Sequence, residues 1–82
     1  MPSPEQRRVL RLIADGWTLK AHRYIDGRKV YQLHPLAGEA QAVRGATVEA
    51  LVAAGLLDSN KKFPAATFYL TPAARQLLQQ AN

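Results

Sequence analysis

The chain has 82 residues, with 11 Lys plus Arg against 6 Asp plus Glu, a formal net charge of +5 and a sequence pI of about 10.1. That length supports one domain with one modest core, burying about 60 % of the surface the unfolded chain exposes, and leaves little room for a large enzyme with a deep cleft. The positive balance favours anionic partners without choosing among them, and the lack of cysteine removes disulfides and thiolate metal sites, as suits a reducing cytosol.

The first element is "SPEQRRVLRLIADG", which predicts a helix over residues 4–14. Ser3 is placed to cap it, Pro4 suits the first turn, and Gln6 stands three residues after Ser3 as in a capping box. Val9, Leu10, Leu12 and Ile13 form its apolar stripe, and Arg7, Arg8 and Arg11 are expected as a solvated face. Gly16 ends the helix.

In "WTLKAHRYIDGRKVYQLHP" the helical period gives way to alternation around Asp26-Gly27. A three-residue loop Ile25-Asp26-Gly27, with Gly27 left-handed, predicts a hairpin. Its register sets Leu19 opposite Leu33 and Ala21 opposite Tyr31 on one face. Lys20, His22, Tyr24, Arg28, Val30 and Gln32 then fall on the other face, which is basic with aromatic groups among the charges.

The segment from Pro35 to Arg44 carries weak signals and reads as a loop with at most a helical turn. A second helix follows over about residues 46–54, with Val48, Leu51 and Val52 inward, and Gly55 ends it before Leu56 and Leu57 return to the core. "DSNKKFP" reads as an exposed loop carrying Lys61 and Lys62. "AATFYLT" alternates around Phe68 and Leu70 as a strand, and "TPAARQLLQQ" is a third helix capped by Thr71. The expected domain is a single α+β unit over residues 1–82, in the order helix, hairpin, helix, strand, helix.

Together "TVEALVAAGLLDS", the basic loop and "FYLTPAARQLL" resemble the second half of winged helix-turn-helix regulators of the MarR and PadR kind. The matching residues are Leu51, Gly55, Leu56, Leu70, Thr71 and Ala74. The resemblance covers about half the chain and implies a small winged-helix-like domain that binds DNA. The first half departs from it, because a hairpin stands where those regulators have a helix before the recognition helix. "EQRR", "IADG" and "DGR" also look like a small bacterial family labelled YjhX-type toxins, more faintly.

The recognition-like helix contains no Lys or Arg, and Thr47, Glu49, Ala50 and Ala53 are its expected outward positions. Base readout in the major groove usually needs Arg, Lys, Asn or Gln, so this helix reads equally as a core strut. Lys20, Arg23, Arg28 and Lys29 cluster around the hairpin turn, and Arg44, Lys61 and Lys62 are expected nearby if the domain folds as a winged helix. These cations suit phosphate contacts that position a protein without reading sequence, with Tyr24 available to stack on a base or to brace the hairpin.

His22 and His34 lack the companions a zinc site needs, no serine has an evident base, and no glycine loop matches a nucleotide fingerprint. The expectation is therefore a non-enzyme without metal or cofactor. No stretch approaches the ~20 apolar residues of a membrane span, and a cytoplasmic protein is expected. Two roles compete: a DNA-binding regulator or mobile-element accessory protein, and a protein-interaction module on a winged-helix scaffold. A homodimer through Leu77 and Leu78 is a further expectation, set against closure of the monomer's own core by the same leucines.

Overall fold

A computed structural model describes residues 2–80; the single-domain reading extends to residues 1, 81 and 82, which lie outside them. Helix α1 covers Pro4–Ala14, followed by strands β1 (Thr18–Arg23), β2 (Lys29–His34) and β3 (Gln41–Val43). Helix α2 (Gly45–Ala53), strands β4 (Leu57–Ser59) and β5 (Ala65–Leu70) and helix α3 (Pro72–Gln80) complete the chain. The strands form one antiparallel sheet in the order β3-β2-β1-β5-β4.

Local chemistry accounts for the helix starts. The Ser3 hydroxyl accepts from the Gln6 N–H at 3.1 Å and the Gln6 side chain accepts from the Ser3 N–H at 3.1 Å, completing the capping box. Thr71 Oγ1 accepts from the Ala74 N–H at 3.2 Å and donates to the Gly55 carbonyl at 2.6 Å. One hydroxyl thus caps α3 and ties it to the residues that end α2.

The hairpin has the expected register, Leu19 opposite Leu33 and Ala21 opposite Tyr31. Its loop closes with the Tyr24 N–H donating to the Arg28 carbonyl at 2.8 Å and the Gly27 N–H donating to the Tyr24 carbonyl at 3.0 Å. Gly27 has φ +91°, a conformation that L side chains rarely adopt.

One sheet face and the helices enclose the core. Leu10 and Val9 from α1, Val48 and Leu51 from α2, and Ala74 and Leu78 from α3 meet Leu19, Leu33, Tyr31, Leu57, Phe68 and Leu70 from the sheet. The opposite face, with Lys20, His22, Gln32, Asp58 and Tyr69, is exposed.

The element order departs from expectation at two places. Residues 41–43 and 57–59 are strands, so the sequence of elements is helix, three strands, helix, two strands, helix. "QAV" and "LDS" have no alternation of their own; they are short edge strands held by pairing of Val43 with Tyr31 and of Leu57 with Leu70. Val52, expected inward, is exposed, because the inward stripe of a nine-residue α2 is filled by Val48 and Leu51. Leu78 is buried and Leu77 half-buried against the monomer's own core, so those leucines are already engaged within one chain.

Candidate nucleic-acid interface

The sheet is longer than the helix layer that covers it. Along β1 the inward positions are Leu19, Ala21 and Arg23; along β2 they are Leu33, Tyr31 and Lys29. Strict alternation therefore puts Arg23 and Lys29, which are register partners, on the same face as the core but past its edge. The β4–β5 loop reaches the same place. Its course is set by Asn60, whose side-chain oxygen accepts from the Lys62 N–H at 3.2 Å and the Thr67 N–H at 3.1 Å. Ser59 Oγ accepts from the Lys61 N–H at 3.2 Å. The Arg23 N–H donates to the Pro64 carbonyl at 2.9 Å and pins the loop against the end of β1.

Between them lies an open groove of about 290 Å³ lined by Arg23, Lys29, Lys61 and Lys62, with Ala21, Ala66 and Phe68 as its apolar floor. Among the described residues no carboxylate lines it. Lys29 Nζ stands 5.4 Å from the Tyr31 ring centroid and Arg23 Nη1 donates to the Gly27 carbonyl at 3.3 Å, contacts that leave both cations facing solvent. Multidentate, flexible cations around an apolar floor suit a phosphodiester or another extended anion.

Four of the eight sequence-derived candidates, Arg23, Lys29, Lys61 and Lys62, meet in this groove. The others lie elsewhere. Lys20 projects from the opposite sheet face between Gln32 and Thr67. Arg28 is engaged by Asp26, its Nε 2.9 Å from Oδ2, and its guanidinium lies 5.1 Å from the Tyr24 ring centroid. Tyr24 also meets His22 edge-on at 4.7 Å, so it braces the hairpin while remaining half exposed.

Arg44, expected near the lysine loop, is instead the residue before α2, following edge strand β3 at the far side of the sheet from β4. Its charge acts on Glu5. The hydrogen bond from Arg8 holds the Glu5 carboxyl below its ordinary range, with the charges of Arg8 and Arg44 acting in the same direction against a desolvation that raises it.

The outward face of α2 adjoins the groove. Glu49, Val52 and Ala53 line a second depression together with Lys29, Ser59 and Phe68, so the two share a wall. Phe63 and Pro64 were not legible as part of the site from residue type alone; the one signal was an aromatic inside "KKFP", in a loop with no core position to fill. Among the described residues no group of three or more His, Asp or Glu side chains is placed to hold a metal ion, and no helix is long and apolar enough to cross a membrane. The chain matches no protein-family model, no curated protein and no solved structure.

Proposed function

We propose that the chain is a small cytoplasmic DNA-binding protein, a regulator or mobile-element accessory protein, that holds the nucleic-acid backbone in the groove formed by Arg23, Lys29, Lys61 and Lys62. The observation that carries this reading is the convergence of four cations, from the β1–β2 hairpin and the β4–β5 loop, around a groove that no carboxylate among the described residues lines. A winged-helix-like arrangement of the second half is part of the proposal: α2 is followed by the β4–β5 hairpin, and Thr71 opens the last helix. Its support is the order of elements and the Leu51, Gly55, Leu56, Leu70, Thr71 and Ala74 pattern.

Such contacts confer affinity without sequence preference. On α2 the outward Glu49 repels phosphate and the alanines offer no hydrogen bond to a base edge, so this helix contributes little to recognition. An electrophoretic shift against a mixed-sequence duplex at low salt should show binding tighter than the ~10⁻⁴ to 10⁻⁶ M typical of non-specific contacts at physiological salt, and so visible at tens of micromolar protein. Failure to shift at tens of micromolar protein refutes the proposal. In that event the cation-free, partly apolar outer face of α2, where Val52 is 42 % exposed, favours the protein-interaction module instead.

A further inference from the structure

Beside the cations, the same end of the molecule displays apolar surface that the core does not use. Phe63 is 79 % exposed, Ile25 is 107 % and Tyr24 is 45 %. Isolated exposed apolar residues are ordinary on a protein surface, but these three are gathered. They line one depression with His22, Arg23 and Pro64, and that depression shares Arg23, Phe63 and Pro64 with the cationic groove. The backbone bond from Arg23 to Pro64 holds hairpin and loop in this relation.

We infer that this end of the domain binds single-stranded nucleic acid in preference to duplex, with an unpaired base stacked on the Phe63 ring and the adjoining phosphates held by Arg23, Lys61 and Lys62. The inference rests on the DNA-binding reading and narrows its substrate class. Charge density alone gives the opposite preference, because a duplex presents more phosphates per unit length and releases more counterions. In a duplex, however, the base faces are already stacked on one another and have nothing to offer Phe63. An unpaired strand can turn a base onto the exposed ring, and every base has a face suited to that contact. An acidic peptide satisfies the lysines equally well but offers the Phe63 ring a flat partner only where it carries an aromatic residue, whereas every nucleotide carries one.

Fluorescence anisotropy with a labelled mixed-sequence oligonucleotide of about twelve nucleotides, single-stranded and as a duplex at the same salt, tests this. The wild-type chain should bind the single strand roughly tenfold more tightly, and Phe63→Ala should remove that preference while leaving duplex affinity unchanged. Phe63→Trp should keep the preference, with its added fluorescence quenched on binding. Arg23→Ala with Lys61→Ala and Lys62→Ala should weaken both complexes. Phe63 is exposed, so circular dichroism should show an unchanged fold for both of its variants. Equal affinity for the two oligonucleotides, with Phe63→Ala matching wild type on both, overturns the single-strand inference and leaves the DNA-binding reading standing. Binding of neither oligonucleotide removes both, and tighter capture of polyglutamate than of either reassigns the face to an acidic protein partner.

Discussion

On the inner face of the three central strands, one rung of register partners reads Leu33, Leu19 and Phe68; the next reads Tyr31, Ala21 and Ala66; the last reads Lys29 and Arg23. Strand geometry is continuous across all three rungs. What changes is the cover: helices seal the first rung and none seals the last, and side-chain chemistry follows the cover, from leucine through alanine and tyrosine to cations. Alternation assigns a residue to a face, whereas burial is assigned by what packs over that face. A groove arises where the sheet runs past its helices.

The largest effect expected from testing this contrast is at the covered end. Leu33 has no exposed surface, and Leu33→Ala should cost about 2–5 kcal/mol from reduced burial and the cavity left behind. For a domain this small, each kcal/mol lowers the melting temperature by about 4–8 °C, so thermal circular dichroism should show a fall of at least about 8 °C. A shift under about 3 °C shows that the rung is not sealed as described.

At the open end the same operation should spare the fold and damage binding. Arg23→Ala, Lys29→Ala and Lys61→Ala together should change stability by no more than about 0.5 kcal/mol per site, because all three side chains are exposed. The slope of log affinity against log salt for duplex DNA should fall by about 0.9 for each phosphate that is no longer neutralised, up to about 3 units. Arg28→Ala, in contrast, should change the slope by less than one such step, since its guanidinium is held by Asp26. An Arg28→Ala effect equal to that of the triple variant moves the interface from the groove to the hairpin tip.

The contrast also accounts for what was legible in advance. The first helix was readable to its ends because Ser3, Pro4 and Gln6 carry its start locally, and the hairpin register followed from Gly27 and the apolar pairs. The same register sets Arg23 and Lys29 on the inner face, two residues on from Ala21 and two before Tyr31, whereas residue type alone groups them with Lys20 and Arg28 around the turn. Their exposure does not follow from register, since it depends on what packs over that face. The strands β3 and β4 were hidden because Gln41, Asp58 and Ser59 are not strand-forming by type, and only neighbours distant in sequence make them pair. Four of the eight candidate residues share a groove for the same reason: residue type identified cations, but face parity and the loop's anchorage to β1 decided which of them meet.

A smaller effect is expected at the junction of α2 and α3, where the covered end is closed. Thr71→Val keeps the shape of the side chain and removes both the bond to the Gly55 carbonyl and the cap on Ala74. Urea unfolding should show a loss of about 1–2 kcal/mol with an unchanged slope against denaturant. Affinity for nucleic acid should not move, because Thr71 does not line the groove.

The smallest effect concerns the paired charges of the covered end, set against the unpaired ones of the groove. Arg8 Nε lies 2.9 Å from Glu5 Oε1 and its Nη1 donates to Gln41 Oε1 at 3.1 Å, so the pair also ties α1 to β3. The hydrogen bond from Arg8 lowers the folded-state Glu5 carboxyl below its unfolded value, so its contribution is fully present above the unfolded value and is lost as pH falls through the folded one. Both side chains are about two-fifths exposed, at 42 % and 41 %, and solvent screening limits the contribution to about 0.2–1 kcal/mol. Glu5→Gln should therefore destabilise the domain by a few tenths of a kcal/mol at pH 7 in urea titrations, and the difference from wild type should shrink once the pH passes below about 4.3. Adding 1 M salt at pH 7 should shrink it as well, with the Debye length near 3 Å. A difference that persists unchanged at pH 2 and in high salt shows that the Gln41 tie and helix packing, rather than the ion pair, are what Glu5 supports.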